Sequence, residues 1–423
     1  MSYYQRFIDT QLKEWAESKR RKPLLVRGAR QIGKTSTIRN LGKSFRNFVE
    51  IDLNDHTELH SLFDGGRTPQ QICDGISLMT SKEIKPGKTL LFLDEIQACP
   101  AAINKLRYFY EQYPELHIVA AGSLLEFALE ELPSFGVGRV ESIFMYPFSF
   151  YEFLNASGNG MLCEAIKKAN TEAPLLEPIH KKALDLLKTF IAIGGMPDVV
   201  ATYIETGEIF ACQKVLDTLA VSYKDDFRKY RKKINPELIR LVWESAAEQG
   251  QGKFVYSKIS KDYKTELLKS AAETLVLAGL IHPIIHTGAN GIPLGAEVNR
   301  KFCRMMLIDS GLTQRILGLN LVEFLSSDNM ETINKGALAE LFVGAELLKN
   351  SNCFIQGQLY CWFREEKGSN AEVDFVVQIG EKIVPIEVKS GSKGSMQSMR
   401  LFMDLKKSEY GIRTSLENFA QYE

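Results

Sequence analysis

The first 150 residues predict an α/β fold built on a doubly wound parallel sheet. Short apolar segments alternate there with segments of helical periodicity, which is typical of a parallel sheet with helices on both faces. Residues 88–95, KTLLFLDE, contain a continuous apolar run, as expected of a strand that is covered on both faces. We predict strands at residues 23–28, 47–53, 88–95, 117–123 and 140–147, and helices at residues 5–20, 33–41 and 101–113.

The remainder of the chain predicts a helical middle and a second α/β region. Residues 148–230 are mostly helical in pattern, and residues 235–313 read as helices followed by a hairpin, an order that resembles a winged-helix module. A further helix is expected at residues 332–349, and a β-hairpin at residues 370–389 that turns at Ile379 and Gly380. A chain of 423 residues exceeds what one hydrophobic core usually fills, so we expect two or three domains.

Composition narrows the class of protein. Lysine and arginine together number 52, as do aspartate and glutamate, so the formal net charge is zero and the whole molecule lacks the charge signature of nucleic-acid binding. A basic face on one part of the surface is still compatible with this composition, because charge can be unevenly distributed. The seven cysteines form no C-x-x-C pair, which favours a reducing compartment over disulfides or a zinc site. Neither a signal peptide nor a membrane-spanning run is recognisable, so we expect a cytoplasmic protein without a membrane partner.

Residues 28–35, GARQIGKT, match the pattern G-x-x-x-x-G-K-[ST] at every fixed position, between an expected strand and an expected helix. In such a loop, backbone N–H groups face phosphates and the start of the helix adds its positive dipole end. Lysine at the seventh position reaches the β- and γ-phosphates, and the hydroxyl at the eighth binds Mg²⁺. The sequence therefore predicts ATP and Mg²⁺ as cofactors, with ATP bound by Gly28, Ala29, Arg30, Gln31, Ile32, Gly33, Lys34 and Thr35.

Two acids end the third expected strand. Asp94 is predicted to bind the nucleotide's Mg²⁺ together with Thr35, and Glu95 is predicted to orient or deprotonate the attacking water. Ser123, at the end of the next strand, is a candidate sensor of the γ-phosphate, although serine is also common in turns after strands. Arg139 is a candidate charge stabiliser from its own or a neighbouring subunit, with an ordinary surface arginine as the alternative.

The C-terminal hairpin carries a second candidate site. Asp374 lies on its first strand, and Glu387 and Lys389, two residues apart, share one face of its second strand. With Glu340 from the preceding helix, this set is predicted to converge on Mg²⁺, with Asp374 and Glu387 as metal ligands and all four as catalytic residues. The order of helix, Asp and E-x-K resembles a nuclease superfamily that includes restriction enzymes. Solvated charges on an inactive fold are the alternative.

Taken together, RGARQIGKT, LLFLDEIQ, AAGSLLE, VGRVES with MYPFSFYEFL, and GGMPDVV resemble a large prokaryotic family of uncharacterised AAA-type ATPases. The resemblance covers nearly the whole chain. It implies an AAA-type P-loop ATPase domain at residues 1–155, a helical linker or lid at 156–230, a winged-helix-like segment at 231–315 and a restriction-nuclease-like domain at 316–423. Gly136 replaces the proline usual in the family's P-V-G-R motif, which predicts a freer loop around Arg139.

Two functions remain open at this stage. One is an ATP-dependent enzyme that acts on DNA through a C-terminal nuclease. The other is a regulatory or signalling ATPase whose C-terminal region binds a protein partner, or a second copy of the chain, without catalysis. The zero net charge favours the second function, and the set of Glu340, Asp374, Glu387 and Lys389 favours the first.

Overall fold

The computed structural model describes residues 3–132, 136, 138–230, 234–250, 252–326, 335–364, 371–391 and 396–422. The chain forms two compact units. The first comprises Met1–Pro147 and Asn352–Gln356, and the second comprises Phe148–Ser351 and Gly357–Glu423. Within the described residues, no helix combines the length and the apolar character needed to cross a membrane.

The first unit contains a five-stranded, wholly parallel sheet in the order β2-β3-β4-β1-β5. The predicted α/β fold with a parallel sheet is therefore confirmed for this part of the chain. Its strands and helices are α1 (Ile8–Glu17), β1 (Leu24–Arg27), α2 (Lys34–Gly42), β2 (Asn47–Asp52), α3 (His60–Phe63), α4 (Pro69–Thr80), β3 (Thr89–Asp94), α5 (Pro100–Gln112), β4 (His117–Ala121), α6 (Leu125–Glu131) and β5 (Glu141–Phe144).

Burial explains why this sheet forms where the sequence places it. Every residue of β3 and of β4 is buried, and both strands lie inside the sheet, so their continuous apolar runs match two covered faces. The short segment Asn352–Gln356 adds to the edge next to β5, where the Cys353 carbonyl accepts a hydrogen bond from the Phe144 amide (2.7 Å). A distant part of the sequence thus completes the first unit.

The second unit begins with helices and ends in a six-stranded mixed sheet in the order β11-β10-β9-β8-β6-β7. Its elements are α7 (Phe150–Ala156), α8 (Gly160–Lys168), α9 (Glu177–Ile193), α10 (Pro197–Thr206), α11 (Ile209–Asp226), α12 (Pro236–Glu248), α13 (Thr265–Leu277), β6 (Ile281–Thr287), β7 (Val298–Leu307), α14 (Ser310–Ile316), α15 (Leu321–Ser326), α16 (Lys335–Lys349), β8 (Leu359–Phe363), β9 (Glu372–Ile379), β10 (Lys382–Val388), α17 (Gln397–Lys406) and β11 (Ile412–Thr414).

Both predicted hairpins form, but they belong to one sheet. β6 and β7 are antiparallel, as are β9 and β10, whose register pairs Ile379 with Lys382 across the turn at Gly380. β8 joins the two hairpins because it pairs with β6 on one side and with β9 on the other. The sequence did not predict this junction, since it depends on strands that lie more than seventy residues apart.

A tight junction explains the GGMPD motif after α9. Gly194 has a φ of +77°, and a Cβ at Gly195 would lie only 2.2 Å from the Phe148 carbonyl oxygen. The buried Asp309 carboxylate accepts hydrogen bonds from the Gly195 amide (2.6 Å) and from the Leu312 amide (2.9 Å), the latter at the start of α14. Backbone from three segments therefore meets here without room for another carbon atom.

We expect Gly195→Ala to destabilise the second unit, because its Cβ would meet backbone that cannot move independently. Overpacking of this kind costs about 1–3 kcal/mol. Gly291→Ala is the matched control, since a Cβ at Gly291 meets nothing within 4 Å. Thermal unfolding of both variants checks the expectation, and equal shifts of the melting temperature would contradict it.

Candidate functional site

The carboxyl ends of three neighbouring strands carry the predicted nucleotide-site residues. Lys34 and Thr35 begin α2, directly after the loop that follows β1, while β3 ends at Asp94 and Ser123 follows β4. Because the strands are parallel and adjacent in the order β3-β4-β1, their carboxyl ends lie at one edge of the sheet. Ligands of open α/β sheets bind at this edge.

Glycine and left-handed backbone give the loop after β1 its shape. Gly28 has a φ of +134° and Gly33 a φ of +92°, and Gln31 adopts a left-handed φ of +64°. A Cβ at Gly28 would lie 2.4 Å from the Met145 carbonyl oxygen, so only glycine fits there. The loop then leads into α2 at Lys34, where the free N–H groups of a helix start favour an anion.

Lys34 turns back over its own loop. Its buried ammonium donates hydrogen bonds to the carbonyl oxygens of Gly28 (2.9 Å) and Ala29 (2.7 Å). Burial lowers the pKa of Lys34 to about 8, although the charges of Glu95 and Asp94 act in the opposite direction. A phosphate beside this ammonium would supply the charge that its buried position lacks.

The remaining loop residues support this shape. Ala29 and Ile32 are buried, and Arg30 is half-buried. The positive charge of Arg30 adds to the lowering of the Lys34 pKa, so the two cations lie near the same space. A site with this charge is suited to a polyanion.

Thr35 and Asp94 are in direct contact. The Thr35 hydroxyl donates a hydrogen bond to Asp94 Oδ2 (2.6 Å), and the Glu95 amide donates one to Asp94 Oδ1 (3.0 Å). Burial raises the pKa of Asp94, because the negative charge of the carboxylate is only partly offset by its hydrogen bonds. A hydroxyl and a carboxylate oxygen are ligands that Mg²⁺ prefers, so these residues fit the ion that the sequence predicts.

Glu95 and Ser123 are also brought together. The Ser123 hydroxyl (3.0 Å) and amide (3.3 Å) donate to Glu95 Oε2, and so does the side-chain amide of Gln97. Glu95 itself has a left-handed φ of +47°. Gln97 was not predicted as a site residue. Its position two residues after Glu95, in the segment DEIQ, was the sequence feature that could have indicated it.

Arg139 lies on the surface of the first unit. Its guanidinium pairs with Glu111, and the two side chains are 51% and 37% exposed. Gly136 has a φ of +23°, while residues 133–135 and 137 of the same loop lie outside the described residues. A role for Arg139 in catalysis therefore stays a prediction.

The C-terminal residues share one face of their hairpin. The register of β9 and β10 pairs Phe375 with Ile386, and continuing it by one residue places Asp374 opposite Glu387. Asp374 Oδ2 accepts a hydrogen bond from the Val388 amide (2.7 Å), and Lys389 donates to Glu387 Oε1 (2.6 Å). The predicted neighbourhood of Asp374, Glu387 and Lys389 is therefore present.

A buried arginine lies among these carboxylates. Arg304, 1% exposed on β7, donates to Glu340 Oε2 (2.8 Å), lies 3.6 Å from Asp374 Oδ1 and also donates to the Asp374 carbonyl. Its guanidinium thus lies between Glu340 and Asp374, of which Asp374 was predicted as a metal ligand together with Glu387. Arg304 was not predicted as part of this cluster, although an arginine inside the otherwise apolar segment CRMML could have indicated a buried charge.

Burial and like charge raise the pKa values of this acidic cluster. The pKa of Glu340 rises to about 8 through burial and then through Asp374, and that of Glu387 also rises from burial and from Asp374. Among the described residues, Glu387 Oε2 is buried without a hydrogen-bond partner. Across the same residues, no group of three or more acidic, histidine or cysteine side chains is arranged to hold a metal ion. Binding of Mg²⁺ by Asp374 and Glu387 therefore stays a prediction.

Three family models match parts of the chain. An AAA domain matches residues 20–154, a domain of unknown function (DUF8612) matches residues 184–323, and another (DUF4143) matches residues 335–423. No curated protein matches the sequence. The two domains of unknown function assign neither a winged helix nor a nuclease, so those interpretations stay predictions.

Solved structures give distant likenesses. The Walker-type ATPase PABY2304 of Pyrococcus abyssi is 13% identical, with 75% of this chain and 96% of that chain covered and a TM-score of 0.47. The S. cerevisiae Hsp104–ADP complex is 14% identical, with 65% and 38% covered and a TM-score of 0.28. Drosophila ORC bound to DNA is 14% identical, with 74% and 85% covered and a TM-score of 0.27.

These TM-scores are too low to carry an argument about function. The match to an AAA domain rests instead on residues 20–154, which contain the loop 28–35, Asp94, Glu95 and Ser123. Together with the parallel sheet, this match supports an AAA-type nucleotide-binding ATPase domain in the first unit.

Proposed function

We propose that the protein binds ATP with Mg²⁺ and hydrolyses it in the first unit. The observation that carries the proposal is the contact chain at one sheet edge, in which Thr35 bonds to Asp94 and Ser123 bonds to Glu95. A site that only bound nucleotide would not need a second carboxylate fixed beside the first. General-base catalysis does need one.

Each residue has a distinct role in this proposal. Lys34 neutralises the β- and γ-phosphates, and the amides of Gly28 to Thr35 cradle them. Thr35 and Asp94 would hold Mg²⁺, which supplies charge neutralisation when it is bound. Ser123 and Gln97 both engage Glu95 Oε2, so we assign Glu95 Oε1 to orient the attacking water and accept its proton.

Arg139 has a proposed role that requires a neighbour. It is exposed and paired with Glu111, which suits an arginine that stabilises phosphoryl charge in an adjacent subunit. This role implies self-association, and with it a nucleotide site shared between two copies of the chain. An exposed surface pair is the alternative.

For the second unit we propose a regulatory role rather than nuclease activity. The observation in favour is Arg304, whose guanidinium pairs with Glu340 and Asp374 without a metal ion. In this view ATP binding changes how the second unit engages a protein partner. DNA cleavage by a nuclease-like domain at 316–423 is the rival proposal. The division into domains at 155, 230 and 315 is likewise kept as a proposal.

We expect Lys34→Ala to weaken ATP binding roughly 10- to 100-fold, because charged hydrogen bonds to phosphate are lost. In the wild type the affinity should fall about tenfold per pH unit above a pKa of about 8, since the ammonium must then be protonated on binding. Calorimetric titrations across pH check both effects. Lys43→Ala, at the exposed end of α2, is the control, and an equal loss in both variants would contradict the assignment.

Glu95→Gln should keep ATP bound and slow its hydrolysis by roughly 10²- to 10⁴-fold, because an amide retains the shape but cannot take a proton. Single-turnover hydrolysis measures the effect directly. Glu83→Gln, which alters an exposed acid of the same unit, should leave the rate unchanged. Hydrolysis by Glu95→Gln at the wild-type rate would remove Glu95 from the mechanism.

We expect no cleavage of plasmid or branched DNA by the wild type in Mg²⁺ or Mn²⁺ beyond that of Asp374→Asn, because Arg304 already pairs with Asp374 and Glu340. Gel assays of both proteins test this expectation. The nuclease proposal gains if the wild type cleaves, Asp374→Asn and Lys389→Ala do not, and Asp404→Asn, an exposed acid on α17, still does.

A further inference from the structure

Arg6, which precedes α1, is a buried charge outside every motif described above. It is 6% exposed. Its Nη1 donates to the Ile32 carbonyl (3.2 Å) and its Nη2 to the Tyr146 carbonyl (2.7 Å). One guanidinium thus joins the phosphate loop to the chain that follows β5.

A second set of contacts fixes Arg6 itself. Its amide donates to Asp9 Oδ2 (2.9 Å), and the Tyr3 hydroxyl donates to Asp9 Oδ1 (2.6 Å). Tyr3 also lies 3.4 Å from the Thr37 hydroxyl, on the helix that follows the loop. The carboxylate of Asp9 is therefore held next to the arginine, and both side chains are buried.

The contact with Ile32 has a geometric consequence for the next residue. A trans peptide is planar, so the carbonyl of Ile32 and the N–H of Gly33 point in opposite directions. Arg6 holds the Ile32 oxygen toward α1 and thereby aims the Gly33 amide the other way. Amides of such a loop bind phosphate when they point inward together.

The contact with Tyr146 fixes the same loop from a second side. The Met145 amide donates to the Arg27 carbonyl (2.9 Å), and the Met145 oxygen lies against Gly28. Arg6 therefore links Tyr146, whose neighbour Met145 lies beside the start of the loop, to Ile32 near the end of the loop. Arg6 is thus one of the side chains that tie the loop to its surroundings, with Lys34 bonding to the carbonyls of Gly28 and Ala29.

We propose that Arg6 is a positioning residue for nucleotide binding, which holds the Ile32–Gly33 peptide so that the Gly33 amide faces the phosphates. This inference rests on the proposed ATP site. It assigns no contact between Arg6 and the nucleotide. Lysine could keep the charge, but its single ammonium lacks the planar fork that here reaches two carbonyls.

The test compares Arg6→Ala and Arg6→Lys with Arg39→Ala, which removes an exposed arginine of α2 paired with Glu50. Binding of a non-hydrolysable ATP analogue is measured by calorimetry, and thermal unfolding is measured without nucleotide. We expect Arg6→Ala to raise the Kd roughly 10- to 100-fold, as for charge-assisted hydrogen bonds. The Kd of Arg6→Lys should lie between those of the wild type and Arg6→Ala, and the Kd of Arg39→Ala should equal that of the wild type.

Guanidinium at low millimolar concentration provides a readout that a purely structural role would not move. It should restore the affinity of Arg6→Ala and leave Arg39→Ala unaffected. Affinity within twofold of wild type in a folded Arg6→Ala would overturn the inference, as would a loss that guanidinium does not reverse. If Arg6→Ala does not fold, Arg6→Lys and Arg6→Gln carry the same comparison. Absence of ATP binding by the wild type would overturn the proposed function instead.

Discussion

The hydrogen bond between Thr35 and Asp94 joins two elements that are far apart in sequence, and the geometry of the nucleotide site depends on it. It ties the start of α2 to the end of β3 across the intervening strand β4. Asp94 in turn accepts from the Glu95 amide, which helps fix the left-handed backbone of Glu95. The positions of the proposed metal ligands and of the proposed general base are therefore not independent.

This site is predictable from the sequence because its parts are set by local rules. The spacing from Gly28 to Thr35 reflects the backbone needs of one loop, and the continuous apolar run before Asp94 reflects a strand with two covered faces. These patterns are visible without knowing any neighbour. They placed the ends of the strands within a few residues and the candidate side chains on one edge.

What the sequence could not predict depends on tertiary partners. Arg6 and Arg304 are buried charges whose partners lie on distant elements, and nothing in their local sequence specifies those partners. Gln97 required knowledge of where Glu95 points. For the acidic cluster, the neighbouring carboxylates could be predicted from the sequence, but the cation among them could not, because an arginine on β7 reaches β9 only once the sheet has formed.

The burial of Glu340 makes the stability of the folded protein depend on pH. Its pKa rises from 4.5 to about 8, so the folded protein binds a proton there that the unfolded chain releases at lower pH. Stability from this group is present below the unfolded value and is lost as the pH rises through about 8. Arg304 lessens that loss without removing it, because the burial of the carboxylates exceeds what one guanidinium offsets.

The junction of β6 with β8 determines whether the two matched regions can be separated. The regions matched as two domains of unknown function each supply strands to one sheet, with Ile284 and Ile285 of one paired with Leu359 and Tyr360 of the other. Separation of the two regions would leave β6 and β8 each with an unpaired edge, and such edges favour aggregation. The sequence boundary between the two regions is therefore not a boundary in the structure.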